Sequence, residues 1–273
     1  MLWVKSTWEI SLPVQAERGY LIVAVNTDTT DYIECARRLN NSIKIWNPDA
    51  KTCLVTLGQP DSNFDYTVQL PHGDQSPGTQ WKLSNDWQVF EASPFRQTIK
   101  LEADMLITSS IEHWWNLLQH RDVVVSTGCR DYYNTVSSSR FYRKVFDANN
   151  LPDVYNAITY WRLSKTAQEF WVLVRKIFEQ WSDFKTLLKF PDDEPTTDLV
   201  YAMAAQIIGP ELVTMPFATY PKIVHMKKRI IGTRTDDWTK ELVWEMDNGH
   251  LRINTIAQQG AIHYNVKHWN PYE

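Results

Sequence analysis

Two apolar runs, YLIVAV at 20–25 and CLVTL at 53–57, do most to limit what this chain can fold into. Each is continuous and rich in β-branched residues, the pattern of a strand covered on both faces. Between them Tyr32, Ala36, Leu39 and Ile43 recur at helical spacing, and Asn47-Pro48-Asp49 marks the end of that helix. Strand, helix and strand within about 38 residues form a βαβ unit, so the sheet is expected to be mainly parallel.

The remaining pattern fits the same class. Residues 59–87 are rich in Asp, Pro, Gly and Ser and predict irregular structure, with a short helix from Trp87 to Ala92. Ser109 with Glu112 has the spacing of a capping box for a helix to about Gln119, and DVVVST at 122–127 predicts a strand. Thr166 with Glu169 forms a second box, opening a long amphipathic helix whose apolar stripe runs from Phe170 to Leu188. Asp198 to Ile208 predicts another helix, closed by Gly209 and Pro210. From about 240 the segments ELVWEM, HLRINTI and GAIHYNV alternate as C-terminal strands, with a turn at Asp247-Asn248-Gly249. The expectation is one α/β domain, with helices flanking the central sheet.

Composition narrows the function classes. The chain has 273 residues, ample for a sizeable core, and 28 Lys plus Arg against 32 Asp plus Glu give a net charge of −4. That balance argues against a general nucleic-acid binder. Cys35, Cys53 and Cys129 form no C-x-x-C pair, which fits reduced thiols in a cytoplasmic protein. The opening MLWVKSTWEISLP is broken by Lys5 and Glu9, so no secretory signal and no membrane association are expected. Thirteen Trp are present, of which Trp46, Trp81, Trp87, Trp238, Trp244 and Trp269 lie in polar surroundings. Such rings suit sugar or base stacking as well as core packing.

The chemistry centres on TIKLEADMLITSS, where a buried strand drives into Glu102 and Asp104 and then resumes. Burying carboxylates is costly unless something cationic neutralises them. Either the segment is a solvated turn, or the pair holds a divalent cation at the carboxyl end of a central strand, where open α/β sheets bind ligands.

Four blocks, in order, resemble the GT-A glycosyltransferases of family 8, the glycogenin and lipopolysaccharide-galactosyltransferase type. VAVNTDTTDYIECARRLNNSIKIWNP is similar to the family's opening strand and Y-x-x-x-A-x-x-L-x-x-S-[IL] helix. IKLEADMLITSSIEHWW is similar to its D-x-D segment, VYNAITYWRLSKTAQEFW to its F-N-x-G segment, and IHYNVKHWNP to its terminal His block. The resemblance implies a Rossmann-like GT-A fold, with residues 20–125 binding a nucleotide-sugar and 126–273 forming the acceptor side. It implies Mn²⁺ or Mg²⁺ held by Asp104, Glu102 and His263. It places Asn26, Asp28, Tyr32, Glu102, Lys267 and Trp269 near a UDP-sugar, with Tyr32 on the uracil and Lys267 on the diphosphate. Asn156 matches the family's acceptor-side asparagine, and Glu194 or Asp198 in DDEPTTDLVYA stands where a catalytic acid is expected. Taken as residues alone, Tyr32 equally opens a helix core, His263 equally sits in a structural strand, Lys267 is equally a solvated lysine, and Asp198 equally caps a helix.

The sequence departs from the family in several places, beginning with the Asp-Gln expected before a helix, which is not plainly present where DDEPTTDLVYA stands. Glu102 replaces the first Asp, the terminal block lacks its glycine and is two residues shorter, and His268 replaces a proline. The resemblance implies retained anomeric configuration and a hydroxyl acceptor. A compact form of this kind resembles bacteriophage-encoded members, some of which modify hydroxymethylated bases in DNA. YPKIVHMKKRIIGTR places Lys222, Lys227, Lys228 and Arg229 together, either to track duplex phosphates or as a solvated rim. The other readings are a glycan or protein glycosyltransferase of the glycogenin type, an inactive sugar-nucleotide-binding protein, and a nucleotidyltransferase. NTDTTD lacks the glycines that a nucleotidyltransferase phosphate loop requires.

Overall fold

The computed structural model describes residues 14–272, apart from 77, 81, 138–142, 216–220, 228–229 and 248–249. Trp81, Tyr220, Lys228, Arg229 and the Asn248-Gly249 part of the expected turn therefore lie outside the described residues.

The βαβ unit is present as β1 (Ala16–Val23), α1 (Tyr32–Trp46) and β2 (Thr52–Thr56), with β1 and β2 parallel and Tyr20 beside Thr52. Asp31 caps α1, its carboxylate accepting the Glu34 N–H at 3.0 Å. β3 (Tyr66–Gln69) adds a further parallel strand on the far side of β2. A 3₁₀ turn at Leu83–Gln88 runs into α2 (Val89–Ala92), and β4 (Phe95–Glu102) then lies parallel to β1. The chain continues through β5 (Met105–Ile107), α3 (His113–Leu118), β6 (Val123–Thr127), α4 (Arg143–Ala148) and β7 (Val154–Arg162). The central sheet has the order β3-β2-β1-β4-β7-β6. Only β7 runs against the others, pairing antiparallel with both β4 and β6.

Alternating residues of β1 serve two cores. Tyr20 and Ile22 pack with Leu39 and Ile43 of α1 and with Trp114 of α3. Leu21 packs on the opposite face with Phe170 and Val174 of α5 (Lys165–Glu179) and with Val200 and Ala204 of α7 (Thr197–Ile208). Burial on both faces is what the continuous apolar run requires. α6 (Trp181–Leu188) follows α5, and α8 (Pro210–Val213) follows α7.

Two small sheets complete the chain. β8 (Ile223–Met226) and β5 flank β12 (Ala261–Tyr264). β9 (Trp244–Asp247), β10 (His250–Ile253) and β11 (Ile256–Ala257) form an antiparallel ribbon. Gly260 leads into β12 with φ +80°, and a Cβ there would lie 2.5 Å from the Lys222 carbonyl oxygen, so only glycine fits this approach.

Several local expectations are corrected. Ser109 does not cap α3, because its hydroxyl accepts the Gly260 N–H at 2.9 Å. Ser164 rather than Thr166 caps α5, accepting the Ala167 N–H at 3.2 Å. The long helix breaks at Gln180, which leaves helical geometry at φ −109° and ψ 28°. Thr196 rather than Asp198 caps α7, accepting the Leu199 N–H at 3.2 Å. That frees the Asp198 carboxylate for another role.

Candidate active site

The acidic stretch sits where the chain leaves one sheet for another. β4 ends at Glu102 in the central sheet, Ala103 and Asp104 turn, and β5 begins at Met105 in the second sheet. β12 pairs with β5 so that His263 stands opposite Met105, and the Tyr264 N–H donates to the Asp104 carbonyl at 3.1 Å. A strand from the far end of the chain thereby delivers an imidazole to the acidic turn. His263 Nε2 lies 2.9 Å from Glu102 Oε2 and 3.0 Å from Asp104 Oδ1.

Two lysines complete the cluster. Lys227 Nζ donates to Asp104 Oδ2 at 2.7 Å and lies 2.9 Å from His263 Nε2. Lys267 Nζ donates to the same Asp104 Oδ2. Its ammonium also stands 5.2 Å from the centre of the Tyr32 ring, within cation–π range. Burial alone would raise the Asp104 carboxyl, but Lys227, His263 and Lys267 hold it well below the usual range. Burial lowers and the two carboxylates raise the Lys227 ammonium, and the carboxylates win. Tyr32 is pushed up to about 12, by burial and then by the Asp104 charge.

Behind the imidazole lies a second layer. The Tyr155 hydroxyl is 2.6 Å from His263 Nδ1 and 2.8 Å from Nδ1 of His225, so it bridges the two rings. Beside it, Asp198 Oδ1 accepts the Asn156 N–H at 2.7 Å. The Asn156 side chain accepts from the Thr159 hydroxyl at 2.5 Å. Lys100 and Asp86 form a buried ion pair at 2.6 Å, and the Tyr201 hydroxyl donates to Asp86 as well.

The expected site residues thus divide. Glu102, Asp104, His263, Lys267 and Tyr32 come together. Asn156 and Asp198 stand alongside, joined to each other. Asn26 and Asp28 lie in the loop between β1 and α1, where Asn26 Oδ1 accepts the Ile33 N–H at 3.0 Å and Asp28 accepts from the Thr79 hydroxyl at 2.5 Å. Trp269 does not face the cluster. It is buried against Trp238, with ring centres 4.7 Å apart, because the ribbon of β9 and β10 needs a large apolar anchor. Glu194 lies elsewhere, lining a cleft of about 500 Å³ with His72, Trp87 and Arg175. Lys227 is the largest correction: it turns into the acidic cluster instead of joining a basic rim. Lys222 is half-buried, and burial followed by the Arg130 charge lowers its ammonium. Lys227, Tyr155, His225, Asp86 and Lys100 were not expected here. The only sequence signal for any of them is Lys100, a charge inside an apolar strand.

The donor set of two carboxylates and one imidazole, with ligand atoms within 4.8 Å of one another, fits a divalent ion that favours oxygen and accepts nitrogen. The Tyr155 bridge is the kind of outer-shell contact that fixes a ligating imidazole.

No family model matches the chain, and no curated protein matches it by sequence. Among solved structures the chain is similar to an active-site mutant of LgtC, with 12% identity, 90% of this chain and 86% of that one covered, and a TM-score of 0.50. It is equally similar to mouse xyloside xylosyltransferase 1 in its apo form, with 9% identity, 94% of this chain and 100% of that one covered, and a TM-score of 0.50. The likeness is one of fold: the chain has the GT-A glycosyltransferase architecture.

Proposed function

We propose that this protein is a glycosyltransferase that moves a sugar from a nucleoside diphosphate, UDP in the first instance, to a hydroxyl acceptor. The observation that carries the reading is the Glu102–Asp104–His263 triad at the carboxyl end of a central strand of a GT-A fold. Residues up to about 125 would bind the donor, and the remainder would serve the acceptor.

Mn²⁺ or Mg²⁺ held by Asp104, Glu102 and His263 would act as a Lewis acid on the diphosphate. In the transfer the bond from the anomeric carbon to the diphosphate oxygen breaks, the acceptor oxygen bonds to that carbon, and the acceptor's proton passes to the departing diphosphate. Negative charge grows on the departing diphosphate, so a fixed ammonium helps most in the transition state. Lys267 would do that work, and its position 5.2 Å from the centre of the Tyr32 ring, on which the base would stack, supports the reading. Asp198 accepts the Asn156 N–H and would thereby fix the residue expected on the acceptor side. The family-8 resemblance favours retained configuration.

The engagement of Lys227 with Asp104 weakens the case for a duplex-DNA acceptor, since the expected basic strip loses that residue. Among the described residues no helix is long and apolar enough to cross a membrane. The test is turnover of UDP-sugars with Mn²⁺ by the wild type and by Asp104→Asn. Loss of about a hundredfold or more is expected, on the scale of removing one transition-state electrostatic contact. Undiminished turnover in the variant would remove the metal-site assignment.

A further inference from the structure

Lys227 follows β8 directly, and β8 lies parallel to β12 with His225 beside His263. Its side chain crosses to the acidic turn and stops 2.7 Å from Asp104 Oδ2 and 2.9 Å from His263 Nε2. Asp104 and His263 are two of the three residues of the triad. A Mn²⁺ or Mg²⁺ ion bound to them would stand about 2.0–2.2 Å from its ligand atoms. The ammonium and the ion therefore compete for the same small volume and the same lone pairs. Like charges held this close repel strongly.

The side chain of Lys227 remains 31% exposed while that of Asp104 is 6% exposed. A long, flexible side chain that keeps part of its surface in solvent is the member of this pair able to withdraw. Once displaced, the ammonium needs another anion, and a donor diphosphate supplies one. Lys267 shares the Asp104 oxygen and adds to the repulsion of an incoming cation.

Resting on the reading of this cluster as a metal and diphosphate site, we infer that Lys227 is a built-in competitor for the cation position. Its ammonium keeps divalent metal out until a nucleoside diphosphate arrives to receive it. Metal and donor then bind as a coupled pair rather than independently. Linkage makes the coupling reciprocal: UDP tightens Mn²⁺ binding by the factor with which Mn²⁺ tightens UDP binding.

The experiment is a Mn²⁺ titration followed by electron paramagnetic resonance, with and without UDP, on the wild type, Lys227→Met and Lys227→Gln. Thermal melts confirm that each variant is folded. In the wild type UDP is expected to tighten Mn²⁺ binding by about tenfold or more. Lys227→Met is expected to bind Mn²⁺ without nucleotide about tenfold more tightly than the wild type, and to lose most of the UDP effect. Lys227→Gln, which keeps a hydrogen-bond donor but no charge, should behave the same way. Equal nucleotide-free Mn²⁺ affinity in the wild type and both variants would overturn the inference while leaving the metal site standing. Absence of Mn²⁺ binding in every protein, with or without UDP, would overturn the metal-site reading and the inference with it.

Discussion

Two carboxylate–lysine pairs lie close together in this molecule, and they behave differently. Asp86 and Lys100 are sealed: their side chains are 7% and 3% exposed, and Tyr201 donates to the same carboxylate. Asp104 is as deeply placed, yet its partners Lys227 and Lys267 keep 31% and 26% of their side-chain surface in solvent. A buried charge must always be matched, so both sites carry cations. Only where those cations can withdraw toward water can the carboxylate exchange them for something else. The sealed pair joins the 3₁₀ turn to β4.

That contrast can be broken by substitution. The largest effect is expected at the sealed pair. Lys100→Met strands the Asp86 charge and should lower unfolding stability by about 3–5 kcal/mol in denaturant titrations. Asp104→Asn, by contrast, leaves two lysines whose side chains are partly in solvent and should cost far less stability while lowering turnover about a hundredfold or more. Equal destabilisation by the two variants would erase the distinction. A smaller effect is expected behind the imidazole. Tyr155→Phe removes the hydroxyl between His263 and His225 and should weaken Mn²⁺ binding in the presence of UDP by about tenfold. Unchanged affinity would show that the bridge does not orient the ligand.

The smallest effect concerns a carboxylate that is neither sealed nor in the site. Asp65 pairs with Lys44 and Lys51 and accepts the Thr52 N–H at 3.0 Å. Burial would raise its carboxyl, but Lys44, the Thr52 amide and Lys51 bring it down to about 2. Its folded pKa lies below the unfolded one of about 3.9. Its contribution is therefore complete above about pH 4 and is lost as the pH falls toward 2. Solvent screening limits it to about 1 kcal/mol. Melting curves of Asp65→Asn and the wild type should differ at pH 6 and converge near pH 2.

Much of the parallel sheet could be read before any coordinates. YLIVAV and CLVTL stand in adjacent parallel strands because only a strand buried on both faces needs such a run. β7 was missed as a strand, since VYNAITYWR mixes polar and apolar residues without a clean period. Its hydrogen bonds are supplied by β4 and β6, so local propensity had little to decide. The two capping boxes misled for different reasons: Thr166 lost its place to Ser164, which caps the helix two residues earlier. Ser109 found a partner in Gly260, more than a hundred residues away, a tertiary contact that local sequence does not announce.

In the site, His263 was legible only through the family resemblance of the terminal block, whereas the acidic pair was legible because a charge inside a buried strand demands an explanation. The cations that answer it were not. Lys227 sits among Lys222, Lys228 and Arg229 in sequence, where a basic run looks like a rim, and nothing local says which lysine turns inward. By itself the sequence determined that a parallel sheet would form and that carboxylates would end one of its central strands. Only the tertiary structure decided that β8 and β12 would bring Lys227 and His263 to those carboxylates. Burial patterns are set by each segment's own side chains, whereas charge pairing depends on segments meeting across distances the chain does not encode locally.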